Sequence, residues 1–283
     1  FDKGKGSLSS MKVNGKELLK NGPELNVWRA PLANETDEWG YGTSNTRHRT
    51  EGYGHMAASE WYSAGLDKLT RLNDIFRVET VGGNNIVIEI RNVILLANSG
   101  GAFINRFRYQ ISGSGQITID HNVMPDGDVP AWLPRVGVSW ILSESLSNVQ
   151  WYGRGPQENY PDRKSGYKTG IYNTTVNEMY EPYLIPQDYG LRSDNRWVRM
   201  TDASGNGLEF SGDKLFNFSA HPYTSENLTR ALYPFQLRPF DGITFNFDYA
   251  TSGVGCTALS VFPAYQVMPQ MYDFRTTVRF VKP

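Results

Sequence analysis

Cysteine is nearly missing from this sequence: Cys256 is the only one in 283 residues. One thiol can neither close an internal disulfide nor furnish a zinc site, and it leaves the redox compartment open. No apolar run approaches eighteen residues, so no membrane-spanning helix is expected. Charge of one sign is not in excess either. Lys and Arg number 28 against 29 Asp and Glu, a formal net charge of −1, which supplies no field to draw in a phosphate backbone, and no nucleic acid partner is expected. Metal-ligand spacings are lacking as well: there is no His-x-x-x-His, no cysteine pair and no EF-hand loop, so this chain is expected to hold no metal or other cofactor. Phe1 opens directly in polar sequence with no basic and apolar leader, and the compartment stays open.

Helical period is scarce. Residues 56–64 allow two turns, and Thr224 is placed to cap a short helix over 225–232 before Pro234 stops it. What the chain has in quantity is alternation. Apolar residues recur at every second position in Ile86, Ile88 and Ile90, in Ile117 and Ile119, in Val136, Val138 and Trp140, in Phe216 and Phe218, in Phe245 and Phe247, and in Phe274, Thr276, Val278 and Phe280. This is the period of half-buried strands. Turn compositions stand between the runs at 82–85, 98–101, 112–115 and 203–207. Many strands with almost no crossover helices must pair antiparallel, so the pattern predicts an all-β sandwich or barrel. A hydrophobic fraction of 39% with 13% aromatic is enough for a sizeable core. We expect one domain over residues 1–283, with residues 39–56 as its longest excursion.

Residues 151–164, Trp-Tyr-Gly-Arg-Gly-Pro-Gln-Glu-Asn-Tyr-Pro-Asp-Arg-Lys, crowd aromatics, glycines, prolines and charges beyond what a strand or helix needs, and predict a shaped loop. Gly153 and Gly155 permit positive φ or a close backbone approach, while Pro156 and Pro161 stiffen the frame. Arg154, Glu158, Asp162 and Arg163 either face a neighbouring surface or lock the loop's own shape through Arg–carboxylate pairs, and the two readings are compatible. Tyr160 and Trp151 suit sugar stacking or core anchoring. Of the four histidines, only His121 continues a strand pattern that aims it inward, as a structural residue or as the acid–base of a sugar epimerase. The Asn-x-Ser/Thr triplets at Asn34, Asn173, Asn217 and Asn227 occur at chance-like density.

The 151–164 run closely resembles a hallmark of the C-terminal domain of the large β-galactosidases of glycoside hydrolase family 2. The likeness continues in Trp28-Arg29-Ala30-Pro31-Leu32-Ala33-Asn34-Glu35, in Leu133-Pro134-Arg135-Val136-Gly137, in Tyr180-Glu181-Pro182-Tyr183, in Pro186-Gln187-Asp188-Tyr189-Gly190, and in Asp248-Tyr249 with Gly253-Val254-Gly255. The resemblance implies a large antiparallel β-sandwich (a supersandwich) of the galactose-mutarotase-like type, the C-terminal part of a larger multidomain glycosidase whose catalytic barrel lies outside this chain. It also implies a bacterial enzyme of cytoplasm or periplasm, whose Mg and Na ions are held mainly by the catalytic part.

Glycoside hydrolysis usually takes two carboxylates across the scissile bond. Asn34-Glu35 imitates the family's acid/base dipeptide, but the Trp-Arg-Ala-Pro-Leu before it matches the sandwich opening instead. The expected role is therefore non-catalytic: packing on the catalytic barrel and other domains of the parent enzyme, and shaping the pocket for a galactoside or related carbohydrate. The residues expected at that wall or interface are Arg29, Asn34, Glu35, Arg154, Glu158, Asn159, Tyr160, Asp162, Arg163 and Thr257. Two departures from the family stand out. Thr257 occupies a shortened loop where many members place a stacking tryptophan, and Ala33 and Glu35 replace two aspartates of the opening motif. Rival readings are a stand-alone aldose 1-epimerase acting through His121, and a carbohydrate-binding module suggested by seven tryptophans and sixteen tyrosines.

Overall fold

The computed structural model describes residues 1–36, 57–255 and 261–283. The expected excursion at 39–56, with His48 and His55, falls outside them, as do Cys256 and Thr257. Strands dominate: β1 (Met11–Val13), β2 (Lys16–Asn26), β3 (Thr70–Val81), β4 (Asn85–Leu95), β5 (Ala102–Ile111), β6 (Ile117–Asp126), β7 (Arg135–Leu142), β8 (Asn148–Gly155), β9 (Lys168–Thr175), β10 (Arg192–Thr201), β11 (Gly207–His221), β12 (Ile243–Thr251) and β13 (Tyr272–Val281). Two helices are described, α1 (Ala57–Ala64) and α2 (Ser225–Arg230). Every strand pairing is antiparallel, as the pattern predicted.

The sheet forks at β11. The first half of β11 pairs with β13 and its second half with β12, while β10 lies along its other edge. One branch runs β12, β7, β2, β1; the other runs β13, β6, β5, β4, β3; β10, β8 and β9 extend the shared side. The branches curl face to face and close a sandwich. Phe247 of β12 meets Phe274 of β13 edge-on at 5.8 Å, and Tyr249 stacks on the same Phe274 at 4.3 Å. Phe210, Phe216, Phe218, Phe245, Trp140 and Trp151 fill the space between with fully buried rings. Alternation carries this out: on β13, Phe274, Thr276 and Val278 are buried while Arg275 and Arg279 face water.

A second core gathers under α1, where Trp61 donates its indole N–H to the Trp132 carbonyl at 3.0 Å and meets the Trp132 ring at 5.0 Å. Helix α2 is capped as expected, with the Thr224 hydroxyl accepting from the Asn227 amide at 3.0 Å. It ends at Arg230, two residues short of the expected limit. The Gln236 side chain takes the amide N–H groups of Leu232 and Tyr233, which draws the chain into extended backbone from Ala231.

Candidate functional site

The 151–164 run begins as strand. Residues 151–155 belong to β8, paired with β9 and β10, and the expected loop begins only at Pro156. The glycines explain the difference through close approach. A Cβ on Gly153 would lie 2.7 Å from Asn195 Cγ, and one on Gly155 2.8 Å from the Tyr172 ring, so neighbouring side chains pack against bare backbone and the strand continues.

From Arg154 onward the polar residues are committed one by one. Arg154 donates to Asp194 at 2.6 Å and to the carbonyls of Lys164 and Tyr167 at 3.2 and 2.8 Å, and Lys164 reaches the other Asp194 oxygen at 2.7 Å. Those cations hold the Asp194 carboxyl below its ordinary range although burial works the other way. Glu158 is buried and accepts from Arg163, from the Tyr183 hydroxyl and, at 2.8 Å, from the Gly190 amide. Asn159 is fully enclosed, its side-chain oxygen accepting from Ser193 N at 3.0 Å and its amide donating to the Gln157 carbonyl at 3.0 Å. Tyr160 is buried under the Arg163 guanidinium, 5.2 Å from ring centroid to Cζ, and burial raises its phenol well above its ordinary value.

Asp162 grips another segment. One of its oxygens accepts from the amides of Val254 and Gly255 at 2.9 and 2.7 Å. Arg29 holds the same stretch from the other side, donating to the carbonyls of Ser252 and Gly253 at 3.1 and 3.0 Å. Its remaining partner is Glu35, which also accepts from Leu32 N at 2.9 Å and so closes the turn Ala33–Glu35. Burial opposes the charge on Arg29, but Glu35 and Asp188 outweigh it and raise its pKa. The backbone of Asn34 lies in that turn; its side chain, like Thr257, lies outside what the structure describes.

At the centre are charges to which the sequence reading gave no role. Arg135, fully buried, donates to Asp188 at 2.7 Å and lies 3.4 Å from Asp248. Burial pushes Asp248 up to about 7, with Asp188 adding to the shift and Arg135 opposing it. Burial also brings the nearby Arg192 down to about 10. A signal for Asp248 was present: Thr244, Asn246 and Asp248, at alternate positions of β12, carry short polar side chains suited to a strand buried on both faces, and all three are buried. Further links complete the cluster, from the Asp188 amide to the Ala30 carbonyl at 3.1 Å and from Ala33 N to Gln187 at 3.1 Å. Hydrogen bonds and ion pairs thus link the segments that carried the sequence resemblance into one cluster.

His121 lies elsewhere, inward as expected. It is stacked on Phe107 at 4.0 Å, with its ring nitrogens bonded to the Tyr249 hydroxyl and to Asn105. Burial lowers it to about 3. A cavity of about 660 Å³ is lined by residues of β3, β4, β5, β6, β11 and β13, mostly charged but including His121 and Phe107, and by none of the residues expected at the wall or interface. Among the described residues no group of three or more His, Cys, Asp or Glu is arranged to hold a metal ion.

A family model described as beta galactosidase small chain matches residues 1–278. The β-galactosidase of Vibrio cholerae is 33% identical over 282 residues, covering 99% of this chain and 26% of that protein. That of Lactobacillus delbrueckii subsp. bulgaricus is 33% identical over 238 residues, 84% of this chain and 21% of that one. The chain therefore spans about a quarter of the length of these relatives. Among solved structures, galactose 1-epimerase from Lactobacillus acidophilus overlaps 74% of this chain and 66% of its own at 8% identity and a TM-score of 0.43. The aldose epimerase homologue from C. elegans overlaps 73% and 68% at 10% identity and 0.38. Neither overlap bears on chemistry. The match along 278 of 283 residues is what assigns the fold its kin, and the chain belongs to the beta galactosidase small chain family.

Proposed function

We propose that this chain is the non-catalytic C-terminal domain of a family 2 β-galactosidase, packing on the catalytic barrel and shaping one wall of the galactoside pocket in an enzyme that hydrolyses terminal β-galactosides. The observation that carries the reading is the commitment of its carboxylates. Glu35 is closed on Arg29 and Leu32 N, and Glu158 on Arg163, Tyr183 and Gly190 N, so neither is free to protonate a leaving group or attack a sugar. The cluster's purpose is stiffness. Buried Arg135, paired with Asp188 and Asp248, fixes three chain segments together while Arg29 and Asp162 hold the stretch 252–255, and a fixed edge is what a neighbouring domain can dock against. In this reading Mg and Na ions belong to the rest of the enzyme.

The epimerase alternative needs a histidine free to exchange protons with a sugar, and His121 is enclosed with both nitrogens occupied. The binding-module alternative, so far as it rests on the tryptophans, needs exposed indole platforms. Trp28, Trp61, Trp132, Trp140 and Trp151 are buried, and Trp197 lies beneath Arg199. The test is turnover of nitrophenyl β-galactoside by the purified chain. No rate above the buffer blank is expected, while turnover abolished by Glu158→Gln would overturn the proposal.

A further inference from the structure

Residues 261–272, Val-Phe-Pro-Ala-Tyr-Gln-Val-Met-Pro-Gln-Met-Tyr, contain no charged side chain in a protein that is 20% charged. The segment is also unusually exposed for its composition. Phe262 is 71% accessible, Met271 59%, Met268 49% and Tyr265 40%. Leu215 of β11, 49% accessible, lines with Tyr265 and Met268 a depression of about 370 Å³ that Pro161, Lys164 and Asp194 of the neighbouring loop and strand also line. Single exposed apolar residues are ordinary on a protein surface, whereas a twelve-residue segment free of charge that exposes Met and aromatic side chains together has the makeup of an interface centre.

The set is held on a fixed frame. Val261 and Val267 are buried in the second core, and the Val267 carbonyl accepts from Leu133 N at 2.8 Å. Val267 N donates to the Ser252 hydroxyl at 2.8 Å, and the Tyr265 carbonyl accepts from Gly253 N at 2.9 Å. The segment is thereby pinned to the stretch that Arg29 and Asp162 grip. The outward side chains are presented by a rigid support and cannot turn inward to hide.

We propose that this face, Leu215, Phe262, Tyr265, Met268 and Met271, is where the remainder of a β-galactosidase polypeptide seats an apolar surface of its own. The occupant follows from length: relatives carry this sequence as 26% of a longer protein, so the largest neighbour available is the other three quarters. A tethered neighbour also needs little intrinsic affinity, because its effective concentration is high. The inference rests on the proposed function and gives it a location.

Methionine oxidation by dilute peroxide, read by mass spectrometry, tests it on this chain and on the complete polypeptide. Met268 and Met271 should oxidise readily in the 283-residue chain and at least tenfold more slowly in the complete polypeptide, with Met11 as internal reference. Phe262→Lys should leave the chain's own urea midpoint unchanged and lower the thermal midpoint of the complete polypeptide. Equal oxidation in both settings overturns the proposal. If amide exchange in the complete polypeptide is then slowed on another face, packing stands and this location falls; if it is slowed nowhere, both fall. Protection of Met268 and Met271 in the chain alone, with a dimeric sedimentation mass, assigns the face to a second copy and also overturns it.

Discussion

His121 and His221 are both enclosed and neutral, burial having lowered them to about 3 and about 4, while Asp248 is raised to about 7. Each histidine takes up a proton on unfolding between its folded value and about 6.5, so its contribution to stability is present above 6.5 and lost as pH falls. Asp248 works in the opposite direction. It releases a proton on unfolding between about 4 and 7, so its contribution is present at low pH and lost as pH rises. Among these three groups, two protons taken up against one released make stability fall on acidification, by about 1.4 kcal/mol per pH unit around pH 5. Urea midpoints of wild type and His121→Asn through that region of pH check this: the variant should lose one proton's worth of slope, and an unchanged slope refutes the assignment. The inward aim of His121 was legible because it sits in phase with Ile117 and Ile119. Asp248 left only an indirect signal in the short polar residues along β12, because alternation shows which face a residue takes and does not show that both faces of a strand are covered.

The most consequential local element is the stretch 252–255, held between a guanidinium on its carbonyls and a carboxylate on its amides. Asp162→Ala should cost about 2 kcal/mol in the urea midpoint, because two amides lose a charged acceptor. Amide exchange at Val254 and Gly255 should accelerate with it. Asp162→Asn, whose oxygen still accepts, should do less on both measures; equal effects would deny the carboxylate its role. At this scale the sequence was informative about turns. The compositions at 82–85, 112–115 and 203–207 fall at the reversals joining β3 to β4, β5 to β6 and β10 to β11. It misjudged residues 151–155, since two glycines, two aromatics and an arginine read as loop until Asn195 and Tyr172 are seen resting on the bare backbone. Side chains that arrive from elsewhere in the chain leave no local trace.

Across the whole molecule, β11 belongs to both branches, and Phe247 touches Phe216 of β11 at 4.0 Å and Phe274 of β13 at 5.8 Å. The branches should therefore unfold together. Tryptophan fluorescence and far-ultraviolet dichroism should trace one coincident urea transition. Phe247→Ala should shift it by about 3–5 kcal/mol without splitting it; two resolved transitions would show the branches to be independent. An antiparallel sandwich could be foreseen from strands without crossover helices. The fork could not, because a strand of fifteen residues does not announce that its two halves have different neighbours. The same pairing sets an order of events on the ribosome. Strand β7 waits for β12, more than a hundred residues later, and β6 waits for β13, about 150 residues later. Until 243–251 and 272–281 have emerged, two apolar strands hold open hydrogen-bonding edges to the cell. Premature termination anywhere before residue 272 should consequently yield aggregation rather than a smaller folded product.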